Sequence, residues 1–410
     1  MTARRCALLV ALVAAVGVAV VAVIWVPWHP VPGGAPGAVR PESVFTVEQI
    51  ARGEDYAAWA RRWSLLSLAI SLAVSSVLGF SHWGARLIAG LPGRWWVKVV
   101  LGVLVISLLG RLATLPCSVM LQRHRLANGL STQSWVGYAR DVATSEAVAV
   151  FTTSLGLLVL LGVARRWSRA WPAIAAGMVA ALVVLGSFVY PLVVEPLFND
   201  FTPLAEGELR SEIFALADQQ GVRIDDVLVA DASRRTTTLN AYVSGFGSTR
   251  RVVVYDNLVE SLPRDEALSV IAHELAHAAH GDVVIGTALG ALGGATGVGL
   301  LGLLVTTGPG RLRRSMADPR VVPLVLALSV WATLAASPLE NGISRQIETR
   351  ADVDALKATG DPVAFIEMQK ILALRSLADS TPPHWLQWWW GSHPTTLERV
   401  AIARTLGASK

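Results

Sequence analysis

Apolar residues are gathered into long blocks with few or no charges rather than spread at a helical or strand period. Residues 8–28, 65–88, 96–115, 147–164, 173–194, 283–306 and 321–336 form seven such blocks. Each approaches the roughly 20 residues that an α-helix needs to cross the hydrocarbon of a bilayer. The first block follows Arg4 and Arg5, the charge order of a secretion signal. It is longer than the usual apolar core of a signal, and Pro27, Trp28 and Pro30 follow it where a small-residue cleavage site would stand. It reads as a retained anchor. Polar sequence is concentrated in two places, 198 to about 270 and 337–410.

The first polar stretch changes period. Residues 227–229 and 251–255 are β-branched runs bounded by Asp, Gly and Ser, which predict strands. Gly245-Phe246-Gly247-Ser248 separates 239–243 from 250–255 and predicts a hairpin. Residues 206–219 carry Leu209, Ile213, Phe214, Leu216 and Ala217 at helical spacing, and 262–280 predicts a second helix. Ser261 is the expected cap of that helix, Pro263 suits its first turn, and Asp265 and Glu266 favour the positive end of its dipole. The predicted fold is mainly α and polytopic, with a small α+β domain. It divides into an anchor and linker (1–60), spans two to five (61–197), a first polar part (198–282), spans six and seven (283–336) and a second polar part (337–410).

Composition agrees with this division. Hydrophobic residues make up 53% of the 410 and charged residues 16%, and mean hydropathy is +0.50. A soluble domain is about a quarter charged, so a single water-soluble globule and a disordered chain are both excluded. The formal charge of +5 is spread between apolar blocks. It suits loops at a phosphate-rich lipid surface, and no clustered basic face suggests a nucleic-acid partner. Cationic residues are mostly Arg, and the Arg, Ala, Gly and Val bias fits a GC-rich bacterial genome and a multi-pass protein of the bacterial plasma membrane. Cys6 and Cys117 both lie in or beside apolar runs and offer neither a disulfide framework nor a thiolate metal site.

The chemistry lies on the 262–280 helix, in His273-Glu274-Leu275-Ala276-His277. Imidazoles four residues apart stack on one helical face and can reach one Zn²⁺. Glu274 sits about 100° round the helix, where it can take a proton from water without ligating the metal. A catalytic zinc needs a third protein ligand. The metzincin spacing would place a third His at 283, which is Val283. His280 reads as a helix-end residue or as support for the ligands rather than a ligand. Glu348 and Asp352 are the better pair, four apart on a second predicted helix. Glu348 can ligate, and Asp352 can accept the free ring N–H of a ligand His. Ala351 leaves room for two helices to approach.

These residues resemble the integral-membrane CAAX prenyl protease family of zinc metallopeptidases. Gln122 to Ser131, Pro196 to Leu204, Asn240-Ala241-Tyr242, Arg345…Glu348…Ala351-Asp352 and Ser392-His393-Pro394 with Glu398-Arg399 match the family's motifs in order, over roughly residues 60–405. The resemblance implies seven spans around a chamber and one Zn²⁺ per chain held by His273, His277 and Glu348. It also implies Glu274 as general base, and peptides or membrane proteins as substrates. It makes Asn240, Ala241 and Tyr242 an edge strand that pairs with extended substrate, and His393 a donor to the oxyanion. Arg345 pairs with a substrate carboxylate or, the preferred reading, with Glu348 or Asp352. Trp385, Trp388, Trp389 and Trp390 read as an interfacial belt in preference to a substrate route. Two other functions stand beside the CAAX-type endopeptidase. One is a general quality-control metalloprotease with the same site. The other is a non-catalytic receptor or transporter in which the zinc residues are dispensable.

Overall fold

A computed structural model of the chain describes residues 2–408, except Phe246, Ser248, Thr249, Pro309 and Arg313. The chain opens with α1 (Ala3–Trp25) and α2 (Val47–Phe80), turns through the short α3 (His82–Gly90), and continues through α4 (Trp95–Ala127), α5 (Trp135–Arg166) and α6 (Trp171–Val189). A polar block follows: β1 (Phe201–Pro203), α7 (Glu208–Gln219), β2 (Asp226–Ala230), β3 (Ala241–Ser244), β4 (Arg251–Tyr255), α8 (Asp256–Ser261) and α9 (Arg264–His280). Two long helices, α10 (Asp282–Thr307) and α11 (Val322–Thr359), come next. The chain closes with α12 (Pro362–Ser376), α13 (His384–Trp390) and α14 (Thr396–Ala408).

Seven helices among the described residues are long and apolar enough to cross a membrane: α1, α2, α4, α5, α6, α10 and α11. Helices are the form such blocks take because lipid offers no partner to backbone polar groups. The spans pack in series, α11 on α2, α2 on α4, α4 on α5, α5 on α6 and α6 on α10. Contact between α10 and α11 is sparse. α1 lies along α10, where Gly299 and Gly302 face Ala11 and Ala7; a Cβ at Gly299 would come within 2.5 Å of the Ala11 nitrogen. Small residues permit this close approach of backbones.

Several helices outrun the bilayer. At 1.5 Å per residue the 38 residues of α11 span about 57 Å, nearly twice the hydrocarbon thickness. The second predicted span, 65–88, is corrected in the same way. α2 begins at Val47, with Thr46 and Gln49 forming a capping box, and ends at Phe80, where extended backbone at Ser81 breaks the helix and caps α3. Hydropathy hid its first turns because Glu48, Arg52, Glu54, Asp55, Arg61 and Arg62 are charged. Those turns hold the second polar part. Arg61 pairs with Asp379, the Thr381 hydroxyl donates to Glu54 at 3.0 Å, and Gly53 lies against the Ala378 carbonyl.

The sheet has the order β1-β2-β4-β3. β2 and β4 are parallel, whereas β3 pairs antiparallel with β4 in the register Ala241 with Val254 and Val243 with Val252. The predicted hairpin is therefore present; Phe246 and Ser248 of its loop lie outside the described residues. Val227, Ala241, Val252 and Val254 face Val270, Ile271 and Leu275 of α9, with Ile213 of α7, Phe365 of α12 and Ile402 of α14 completing the core. The expected Ser261 cap is not made. Ser261 belongs to α8, its hydroxyl donates to the Asn257 carbonyl, and Pro263 stands at the N-cap of α9. The intervening turn of α8 takes up the serine that a linear reading assigned to α9.

Candidate metal centre

α9 and α11 pack side by side, and the small side chain of Ala351 on α11 is buried. The approach brings His273, His277 and Glu348 together with one ligand atom of each within 4.8 Å of the others. His273 Nε2 lies 3.2 Å from His277 Nε2 and 3.2 Å from Glu348 Oε2, and His277 Nε2 lies 3.6 Å from Glu348 Oε1. A four-coordinate ion with bonds of about 2.0–2.1 Å sets its ligand atoms about 3.3 Å apart. The two imidazole nitrogens and the Glu348 carboxylate, which faces one with each oxygen, thus lie at separations close to that spacing.

The hydrogen bonds point the same way. His273 Nδ1 lies 2.9 Å from Asp352 Oδ1, and His277 Nδ1 lies 2.9 Å from Asp282 Oδ2. Each ring therefore donates from Nδ1 and turns the lone pair of Nε2 toward its neighbour and toward a carboxylate. Three acceptors converging without a donor between them require a cation. A proton meets the same need. Burial opposes charge on His273 most strongly, but the bonds to Asp352 and Glu348 outweigh it and raise its pKa to about 9.

Asp352 is fully buried. Arg399 of α14 grips both its oxygens, Nε at 2.8 Å from Oδ2 and a second N–H on Oδ1. Glu274 lies outside the ligand group, within electrostatic reach of His273, His277, Glu348 and Arg399. Burial lifts its carboxyl above the usual carboxylate range, against the pull of the two imidazoles. His393 is exposed and brings Nε2 to 3.4 Å from Glu348 Oε2. His280 stands apart from this group, 2.8 Å from Asp354 Oδ2, near the end of its helix.

Arg345 corrects the preferred expectation, because it pairs with neither Glu348 nor Asp352. It donates to the carbonyls of Gln387, at 3.0 Å, and Gly391, at the C-terminal end of α13. A guanidinium there satisfies free carbonyls and opposes the helix dipole. Gln387 in turn donates to the His393 carbonyl at 2.7 Å, so the segment carrying His393 is fastened to α11 through α13. Arg345→Ala is expected to lower kcat about ten- to a hundredfold through a misplaced His393, with bound metal unchanged. Paired rate and metal-content measurements check this. Trp385 and Trp388 are exposed, and Trp389 donates to the Leu334 carbonyl of α11 at 3.1 Å.

β3 is an edge strand. Tyr255 N–H donates to the Asn240 carbonyl at 3.0 Å. By antiparallel alternation, Tyr242 and Ser244 also bond to β4, while Ala241 and Val243 direct N–H and C=O away from the sheet. The side chain of Ala241 packs in the α9 core.

Sequence reading missed the roles of two residues in this constellation. Asp282 is five positions from His277, off the helical spacing, and reaches it only because the chain turns at Gly281, where φ is +67°. Arg399 carried no signal of its own beyond a place in the C-terminal motif, since its partner Asp352 is on a different helix.

Two imidazoles, a carboxylate and a nearby buried acid, held where a membrane-spanning helix meets a small α+β domain, define a membrane metallopeptidase. The sequence model of peptidase family M48 matches residues 203–406, and that of the CAAX prenyl protease N-terminal region, five membrane helices, matches 38–200. The chain belongs to peptidase family M48. It is 31% identical to the uncharacterized metalloprotease YhfN of Bacillus subtilis (strain 168) over 321 residues, 77% of this chain and 75% of that protein. A CAAX prenyl protease 1 homolog of Oryza sativa subsp. japonica is 44% identical over 102 residues, 25% of this chain and 24% of the relative. The crystal structure of S. mikatae Ste24p shares the fold at a TM-score of 0.79, with 20% identity and coverage of 97% of this chain and 99% of that one. The protein is a multi-pass membrane metalloendopeptidase whose family implies a bound metal.

Proposed function

We propose that this chain cleaves extended segments of peptides or membrane-associated proteins with Zn²⁺ at His273, His277 and Glu348. The convergence of those three acceptors, with the terminal strand β3 packed against the α9 that carries two of them, supports the reading. Two imidazoles and one carboxylate form a donor set that suits zinc. Zinc bound there supplies Lewis-acid polarisation of the scissile carbonyl. Glu274 takes a proton from the attacking water and returns it to the leaving amine. His393 Nε2 donates to the developing oxyanion. Asp352 holds the His273 ring in the tautomer that leaves Nε2 free, and Arg345 keeps the His393 segment in place.

Asn240, Ala241 and Tyr242 form the start of the strand that receives substrate, with Ala241 and Val243 offering the backbone groups. Val243→Pro removes one outward N–H without touching a ladder bond to β4, a position where an edge strand tolerates proline. It is expected to raise KM about 2–10-fold, the worth of one hydrogen bond, with kcat and melting temperature unchanged. Steady-state kinetics and a thermal melt check it.

A CAAX-directed activity is the second reading, favoured by the identity to relatives named CAAX prenyl proteases, which is concentrated in about a quarter of the chain. Purified protein assayed on a peptide and its prenylated counterpart tests both, with chelator and with zinc restored. Zinc-dependent cleavage of both peptides supports general endoproteolysis, and cleavage of the prenylated peptide alone supports the CAAX reading. Zinc-loaded protein that cleaves neither overturns the peptidase roles assigned here.

A further inference from the structure

We infer that Asp282 and Arg350 are positioning residues for the metal, acting through His277. The inference rests on the ligand set proposed above. An acid in the first turn of a helix is ordinary, since it favours the positive end of the dipole, and Asp282 opens α10. What singles it out is the use of both its oxygens. Oδ2 accepts from His277 Nδ1 at 2.9 Å, and Oδ1 accepts from Arg350. Both side chains of the ion pair are largely buried. Arg350 lies on α11, two residues beyond Glu348 and two before Asp352.

The two ligand imidazoles are therefore braced by parallel chains of contact. His273 leans on Asp352, which Arg399 of α14 grips with two N–H groups. His277 leans on Asp282, which Arg350 of α11 holds with one. The Asp282 brace also joins α10 to α11 where the two helices otherwise make few contacts. One carboxylate thus aims a ligand and closes the seam beside it.

The test uses full-length protein in detergent, with zinc affinity read by competition against a chromophoric chelator and ligand geometry read from the visible spectrum after Co²⁺ substitution. Asp282→Ala is expected to weaken zinc binding by about 10–100-fold, the usual cost of losing an outer partner of a ligand histidine, and to shift the Co²⁺ bands. Asp282→Asn, which keeps an acceptor oxygen, should recover part of the loss, and Arg350→Met should weaken binding in the same direction by less. If Asp282→Ala does not fold, the Asn and Met variants decide by the same readouts. Unchanged zinc affinity and Co²⁺ spectrum in folded variants, even with a lowered melting temperature, would overturn the inference while leaving the ligand set intact. Wild-type protein that binds no zinc would instead overturn the ligand set itself.

Discussion

Glu274→Gln is expected to keep its metal and lose roughly 10²–10⁴-fold in kcat, the range by which a positioned acid or base accelerates proton transfer. Glutamine fills the same space and keeps an acceptor oxygen, so packing of α9 is preserved. Glu274 stands outside the group formed by His273, His277 and Glu348, so metal content has no reason to fall. What is lost is a carboxylate whose affinity for a proton has been raised by burial, a direction that brings a carboxyl closer to the pH at which it works. Initial rates alongside elemental analysis check this. Hydrolysis at the wild-type rate in the metal-loaded variant would remove the general-base role.

The second large effect is expected at His277. His277→Ala deletes one of the three proposed protein ligands and leaves Asp282 facing an empty position. Structural zinc sites bind with about 10–16 kcal/mol. A quarter of that is about 2.5–4 kcal/mol, or two to three orders of magnitude in affinity. The variant should purify with almost no metal and stay inactive when zinc is added at concentrations that restore chelator-treated wild type. Full occupancy by elemental analysis would show that the ligand set is drawn elsewhere.

Much of this molecule is legible from residue order because its strongest signals are local. Apolar blocks of about 20 residues with few or no charges mark the spans wherever they stand, and the four-residue spacings of His273 with His277 and of Glu348 with Asp352 mark shared helical faces. The signals fail where polar sequence continues a membrane helix. The charged turns of α2 from Val47 onward look like linker by hydropathy, yet they are the struts that hold Asp379 and Thr381. They fail again where two segments meet only in three dimensions. Arg345 stands one helical turn before the candidate acid Glu348 in the sequence, but its guanidinium goes instead to the free carbonyls of α13. Asp282 escapes notice because a left-handed glycine, not helical periodicity, returns it to His277. β1 is three residues long and includes a proline, so no periodic pattern announces it.

The proposed ligands His273 and Glu348 are separated by 75 positions, and α10 with the apolar half of α11 fills most of that interval. During synthesis, a nascent polypeptide that has emerged only as far as His277 carries half a site. Hydrolytic competence has to wait until the last two passes have been threaded and folded back, so order of biogenesis acts as a safety catch. A chain that ends before Glu348 lacks one of the three proposed ligands and cannot complete the site.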